Sequence, residues 1–479
     1  MEVDPGAAVR WVAGVTVLVA AAAFGIAVPS SPAAPVTQFV LSPEGNHLWA
    51  YDAATGERQL MNRAVDGTDP GVMPPNGLRR DINGQICVAP DNRHVISGED
   101  TVLAGGGEGG SSHDPRIAGW GYYEIAGAKL GELTIEQVGK LAPEGGKGPG
   151  YTGDPDNYGC GFLDNNRLLT TAIGNTLPGE PANGQLFLWF APFTGDFRQA
   201  TDTEAGVSFF VGSVDHCQID DTLATAGGIA VDTNGDVYVT ANRPDDDGHP
   251  GAVWRYRGTW PSSAAECTPE FLAGHITKEQ VIPPVPAIPA DPRAPTPSSV
   301  VISPAGTLYV ASVFTGTVSE YGKDGIWIRD LFPLSPLTPP TGPTGDTPFG
   351  LAVTADGTLW IADLGIVGDG PVPGQGSVLR LPFSGGNPVI PAATVQAGLT
   401  FPDGLGVYTP TAAATAAPTP TTVAVGAANA PICSEPCVSL TLRKPAATCS
   451  SAVCQSTSRQ TPCSRIIGAV SRSSLLSAV

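Results

Sequence analysis

The chain is expected to fold as an all-β six-bladed propeller, and three observations point there. A short phrase recurs along it, the recurrences are spaced as sheet units are, and the composition leaves little room for helices. The phrase is clearest at Ser303-Pro304-Ala305-Gly306-Thr307-Leu308-Tyr309-Val310, with partners at Thr354-Ala355-Asp356-Gly357-Thr358-Leu359-Trp360-Ile361 and Asp232-Thr233-Asn234-Gly235-Asp236-Val237-Tyr238-Val239. Each follows a short apolar run (Ser299 to Ile302, Gly350 to Val353, Gly228 to Val231) and reads as strand, tight glycine turn, strand. Weaker copies surround Asp91-Asn92 and Asp164-Asn165-Asn166, where Asn or Asp replaces the turn glycine. The turns fall about 50 to 73 residues apart, the size of a propeller blade. With 60 Gly, 47 Pro and 15% charged residues among 479, no sustained helical apolar period appears.

The ends are different material. Residues 1–35 contain an apolar run from Trp11 to Val28 behind Arg10, followed by small residues and prolines, the pattern of an export signal, with a membrane anchor as the alternative. The propeller is expected over residues 36–410. Residues 411–479 are rich in Ala, Thr, Pro and Ser and cannot bury enough apolar surface to fold, so a disordered tail is expected. Five of the nine cysteines lie there (Cys433, Cys437, Cys449, Cys454, Cys463) without a histidine, which argues against zinc. Cys87, Cys160, Cys217 and Cys267 lie in the toroid, where an exported chain has room for one or two disulfides of unreadable connectivity.

The net charge is −20, and the tail carries five basic residues against Glu435, so the toroid is more acidic than the whole. Such a surface repels phosphate backbones; small-molecule ligands are expected, nucleic acid is not, and membrane contact is confined to the N-terminal segment. A secreted or cell-envelope monomer fits best.

Propeller topology says where chemistry could live. An inner strand starts at one face, a hairpin returns the chain, and the second strand ends at that same face. Inner-strand starts here carry Asn83, Asn157, Asp346 and Asp403; second-strand ends carry Asn242 and Asp363. Oxygen donors converging around an axis suit a hard divalent cation, calcium above all. Asp, Asn and Gly are also what turns are made of, so each residue alone is a weak candidate and the group a better one.

With Gly228-Ile229-Ala230-Val231-Asp232, Gly350-Leu351-Ala352-Val353, Gly376-Ser377-Val378-Leu379-Arg380 and Pro402-Asp403-Gly404-Leu405-Gly406-Val407 in view, the chain resembles the six-bladed calcium-dependent propellers of the senescence marker protein, gluconolactonase and luciferin-regenerating enzyme family, and more loosely NHL-repeat propellers. The resemblance implies one axial divalent metal that activates lactone or ester hydrolysis. Asp403 matches the family's Asp before an inner-strand Gly, and Asn83 and Asn157 match its amide ligands. The family's early Glu has no match, because Glu44 reads as part of a hairpin turn (Pro43-Glu44-Gly45-Asn46). Two function classes follow: a metal-dependent hydrolase with Asp403 and Asp346 as its carboxylates, or a non-catalytic propeller that binds a ligand or protein. The histidines His113, His216, His249 and His275 stand apart from any nucleophile-elbow serine, and Gly105 to Gly110 lacks the ending of a phosphate loop. The run Asp245-Asp246-Asp247-Gly248 has the oxygens to hold calcium, but such a run is more often a solvated turn.

Closure is also legible. Asp403 to Tyr408 reads as an inner strand with no hairpin after it, and Val36 to Met61 as strands without an inner partner; pairing them completes the sixth blade and removes the open edges. The Pro-rich stretches Val281 to Pro297 and Pro333 to Pro348 then cross a rim between blades. Because nothing in the tail offsets the entropy of ordering it, trypsin is expected to cut at Arg443 and Arg459 in the folded protein while the toroid survives; protection of both sites would contradict a disordered tail.

Overall fold

A computed structural model describes residues 37–45, 47–61, 78–103, 119–141, 157–172, 184–195, 198–202, 207–211, 214–223, 226–241, 251–282, 296–313, 315–332, 347–367 and 370–410. The expected signal segment, the tail, the glycine cluster, Asp245 to Asp247 and most of the two Pro-rich stretches lie outside these. Among the described residues no helix is long and apolar enough to cross a membrane.

Six four-stranded antiparallel sheets form the blades of a β-propeller. From the inside outward, blade 2 is Leu78–Val88, His94–Leu103, Gly119–Ala126 and Thr134–Leu141; blade 3 is Asn157–Asp164, Arg167–Ala172, Gly184–Phe190 and His216–Leu223. Blade 4 is Ala226–Val231, Val237–Ala241, Ala252–Gly258 and Ile276–Ile282; blade 5 is Pro297–Ile302, Leu308–Ser312, Thr317–Tyr321 and Trp327–Phe332. Blade 6 is Pro348–Val353, Leu359–Asp363, Gly376–Leu381 and Ala393–Leu399. The five hairpins read from the turn motifs are the inner hairpins of blades 2 to 6, with Asn92, Gly235, Gly306 and Gly357 in the left-handed region that such turns require. The short helix Pro269–His275, capped by Thr268 Oγ1 accepting from the Phe271 amide at 3.2 Å, sits in the last connection of blade 4.

Blade 1 is composite, as the two unpaired ends required. The C-terminal strand Gly406–Tyr408 pairs with Phe39–Glu44 in the register Phe39↔Tyr408, Val40↔Val407 and Leu41↔Gly406, and His47–Asp52 and Arg58–Leu60 complete the sheet. Gln38 Nε2 donates to Thr409 Oγ1 at 2.9 Å just beyond the last rung.

An apolar cluster fills each interface between consecutive blades. Phe39, Leu41, Ile86 and Tyr123 join blades 1 and 2; Trp120, Leu168 and Trp189 join 2 and 3; Leu169, Leu186, Ile229 and Tyr256 join 3 and 4. Tyr238, Val253, Val300 and Leu308 join 4 and 5; Tyr309, Leu331, Leu351 and Leu379 join 5 and 6; Tyr51, Trp360 and Leu405 close the ring between 6 and 1. Disulfides Cys87–Cys160 and Cys217–Cys267 tie the inner strands of blades 2 and 3, and blade 3 to the outer connection of blade 4.

Glu44 is a strand residue rather than a turn residue: it ends Phe39–Glu44, pairs with His47, and forms a backbone bridge with Pro402. The chain turns after it, with Gly45 left-handed at φ 57°. The Glu44 side chain is 4% exposed, accepts from the Tyr51 hydroxyl, and meets Arg58 Nη1 at 2.9 Å; the Arg58 guanidinium in turn lies 4.1 Å from the Trp49 ring centroid. Burial pushes the carboxyl up to about 7 from 4.5, outweighing the opposing pull of Tyr51 and Arg58.

Two predictions follow from blade 1. Deleting residues 401–408 leaves the edge of Phe39–Glu44 without a partner, so the cooperative melting transition of the whole domain should be lost; an unchanged transition would refute the closure. Because the folded protein holds the Glu44 proton more tightly than the unfolded chain, the stabilisation from this group is complete below about pH 4.5 and lost as the pH rises through 7. Wild type should therefore lose stability relative to Glu44→Gln between pH 5 and 8, on the order of 2 kcal/mol, in urea melts; parallel pH profiles would count against it.

Candidate functional site

The register defines one rim. At its level Asn83 pairs with Gly98, Asn157 with Ala172, Ala226 with Ala241, Pro297 with Ser312 and Pro348 with Asp363, and Glu44 bridges to Pro402. Inner-strand starts and second-strand ends therefore face the same way in every blade. In blades 2 to 6 the inner strand slips its register just past this pair, the kind of irregularity that bends a strand locally.

At the axis the strands meet backbone to backbone. A Cβ on Gly404 would lie 1.6 Å from the Gly84 carbonyl oxygen, and one on Gly159 would lie 2.2 Å from the Gly227 carbonyl oxygen, so only glycine permits these approaches. Inner-strand polar groups with no ladder partner are satisfied by side chains. Thr171 Oγ1, on the second strand of blade 3, accepts from the Gly159 amide at 2.8 Å and donates to the Gly227 carbonyl at 2.7 Å. Thr240 does the same service one blade on, donating to the Ser298 carbonyl at 3.1 Å, and Ser298 Oγ donates to the Phe349 carbonyl at 3.0 Å.

Two side chains bridge wider gaps. Gln85 reaches from blade 2 past blade 3 to blade 4: Nε2 donates to the Ile229 carbonyl at 2.7 Å, and Oε1 accepts from the Ile229 amide at 2.8 Å and the Cys160 amide at 3.3 Å. Tyr158, on blade 3, crosses the axis to donate to the Asp403 carbonyl at 3.0 Å and the Phe349 carbonyl at 3.2 Å. Burial, with the Asp403 charge as the second cause, holds its phenol well above 10 and keeps it a donor.

Asp403 is the carboxylate of this hub. It enters between the Glu44–Pro402 bridge and Gly404, and its Oδ2 accepts at 3.0 Å from the amide of Gly84, the residue that follows Asn83 on the neighbouring inner strand. Asn157 begins the inner strand of blade 3, whereas Asn83, expected at a strand start, lies within the longer inner strand Leu78–Val88, which continues beyond the rim pair; both residues stand at the rim level of the Glu44–Pro402 bridge. Asp363 lies on the rim, but farther out, and braces its own loop: Oδ1 accepts from the Thr347 amide and hydroxyl at 2.7 and 2.8 Å and the Gly365 amide at 3.2 Å, and Oδ2 accepts from Ser377 Oγ at 3.1 Å. Asp346 and Asn242 lie outside the described residues. Among the described residues no group of three or more His, Cys, Asp or Glu side chains is arranged to hold a metal ion.

Tyr158 and Gln85 are hub residues that turn motifs could not nominate. Tyr158 was visible only as the neighbour of Asn157, and Gln85 only as a polar residue within an apolar run.

No family model and no curated protein matches the chain. Among solved structures, the chain is similar to the periplasmic gluconolactonase of Pseudomonas aeruginosa, at 11% identity and TM-score 0.41 over 78% of this chain and 99% of that one. It is similar to a luciferin-regenerating enzyme at 11% identity and TM-score 0.37, over 76% and 96% of the two chains. A virginiamycin B lyase from Staphylococcus aureus is similar at 12% identity and TM-score 0.34, over 74% and 87%. At these scores the assignment of six blades rests on the strand pairing of the chain itself: the protein is a six-bladed β-propeller closed by a composite blade.

Proposed function

We propose that this is an exported propeller that holds a divalent cation, calcium best matched, on the rim around Asp403, and that this face takes small lactones or esters as substrate. The observation that carries the proposal is the Asp403 carboxylate at the hub, fixed by the Gly84 amide at 3.0 Å at the rim level of blades 2 and 3. Asn83, Asn157 and Asn242 would add amide oxygens and Asp346 a further rim carboxylate; Asp363, expected among the ligands, is better read as a brace, since its oxygens already accept from Thr347, Gly365 and Ser377. Oxygen donors of this kind suit calcium rather than a softer metal. So few carboxylates among mostly neutral donors suit weak binding, about 10⁻⁴ to 10⁻³ M, the range of extracellular modules.

A bound cation would polarise a substrate carbonyl and ease ionisation of a water. The chain's own part is positional. Asp403 is held by a backbone amide on one side and through its carbonyl by Tyr158 on the other, so its carboxylate is aimed before any ligand arrives. Asp403 and Asp346 are the carboxylates available to accept a proton from the attacking water. Export is supported by the two disulfides, which persist in oxidising compartments. The acidic toroid supports a small-molecule partner over nucleic acid.

A second reading, binding without turnover, is favoured by Tyr158 and Gln85. They fill the axis with satisfied hydrogen bonds, so a ligand would rest on the rim rather than enter a channel. A screen of lactones and esters with and without chelator separates the two.

Asp403→Asn keeps an oxygen acceptor for the Gly84 amide and removes the charge. Calcium affinity by calorimetry should fall about tenfold or more, while the melting temperature in chelator stays near that of wild type. If both proteins bind calcium equally, Asp403 is a structural cap and the cation proposal fails.

A further inference from the structure

The rim beside Asp403 is chemically two-sided. On the side of blades 2 and 3 it begins with Asn83 and Asn157. On the side of blades 5 and 6 it carries an apolar cluster: Val313, Leu364 and Ile366 are buried, and the rings of Phe349 and Phe401 pack on them while remaining partly exposed.

Both rings are tied to Asp403. Phe349 occupies the second position of its inner strand, and its ring meets that of Tyr158 edge-on with centroids 4.9 Å apart. The Tyr158 hydroxyl holds the carbonyls of Phe349 and Asp403 together, at 3.2 and 3.0 Å. Phe401 lies two residues before Asp403 with φ 48°, a left-handed conformation that a bulky residue adopts only at a cost. The surroundings impose it. Pro402 bridges Glu44 on one side and packs so closely on Gly376 that a Cβ there would lie 2.4 Å from Pro402 Cδ.

We propose that Phe349 and Phe401 form an apolar wall that selects the ligand: a small molecule with a flat apolar face laid against the two rings and a carbonyl end turned toward Asp403. Such a wall offers a polyhydroxylated ring no hydrogen bonds and would desolvate its hydroxyls, whereas an aryl or alkyl face gains burial and edge-to-face contact. The proposal rests on the reading of the Asp403 rim as the binding face and adds the substrate class to it.

The test uses two six-membered lactones of opposite polarity, δ-phenyl-δ-valerolactone and D-glucono-δ-lactone, titrated by saturation-transfer NMR in the presence of calcium. Proteins compared are wild type, Phe349→Ala and Phe401→Gly, with each variant's melt recorded first; the second removes a ring and also relieves the positive φ, which offsets part of the packing lost. Wild type should bind the phenyl lactone about tenfold more tightly than the sugar lactone, and each variant should lose about five- to tenfold for the phenyl lactone alone. Calcium affinity should stay unchanged in both variants. Tighter or equal binding of the sugar lactone, no binding of the phenyl lactone, or phenyl-lactone affinity indifferent to both variants would overturn the wall. If the phenyl-lactone pattern holds while calcium fails to bind, the wall stands and the cation proposal falls; if calcium binds and depends on Asp403 while the lactone pattern is absent, the reverse follows.

Discussion

Everything in this molecule depends on how closely six inner strands approach a common axis. Where Gly404 lies against the Gly84 carbonyl and Gly159 against the Gly227 carbonyl, there is no space for a side chain. The strands cannot pair with one another across that contact, since each already pairs outward within its own blade. Their free amides and carbonyls must be answered individually, because a buried backbone group left unpaired costs about as much as a lost hydrogen bond. Thr171, Thr240, Ser298, Gln85 and Tyr158 give those answers, and they also lock the angular relation of each blade to the next. The apolar clusters between blades then fill a geometry that the hub has set.

The hub also places charge. A buried carboxylate needs donors, and the two carboxylates nearest the closing strand meet that need differently. Glu44 faces a tyrosine and an arginine inside blade 1 and is left near neutrality by burial. Asp403, with Oδ2 held by a backbone amide, keeps its place at the axis where six strands converge. The Glu44–Pro402 bridge sits between them, so the residue that closes the ring is one peptide away from the residue that marks its centre.

The blades were legible in the sequence because hairpin chemistry is local. Asp91-Asn92, Asn234-Gly235, Ala305-Gly306 and Asp356-Gly357 each need only their neighbours to specify a turn. Closure was legible for a related reason: Gly406 to Tyr408 has the pattern of an inner strand and no hairpin to follow. Glu44 was misjudged because Pro-Glu-Gly-Asn satisfies turn preferences even though the strand runs through Glu44 and turns only after it. The hub side chains were not legible at all. Gln85 meets Ile229 across 144 residues and Tyr158 meets Asp403 across 245, and nothing in the local sequence of either residue encodes its partner. The rim positions of Asn83, Asn157, Asp363 and Asp403 follow from strand order, yet three of the four donors that occupy Asp363 come from Thr347 and Gly365 outside the strands, and the fourth from its cross-strand partner Ser377, a set that residue type alone does not reveal.

The two disulfides divide the ring unequally. Cys87–Cys160 and Cys217–Cys267 make blades 2, 3 and 4 one covalent arc, whereas blades 5, 6 and 1 are joined to it and to each other by packing and hydrogen bonds. Local opening under native conditions is therefore cheapest on the unstapled arc. The strand that brings Asp403 to the axis, the Phe349 ring and the Glu44 carboxylate all belong to that arc. The candidate site thus straddles the divide: its carboxylate and apolar wall ride on the half more free to open, and Gly84 and Tyr158, which hold that carboxylate's residue in place, belong to the stapled half.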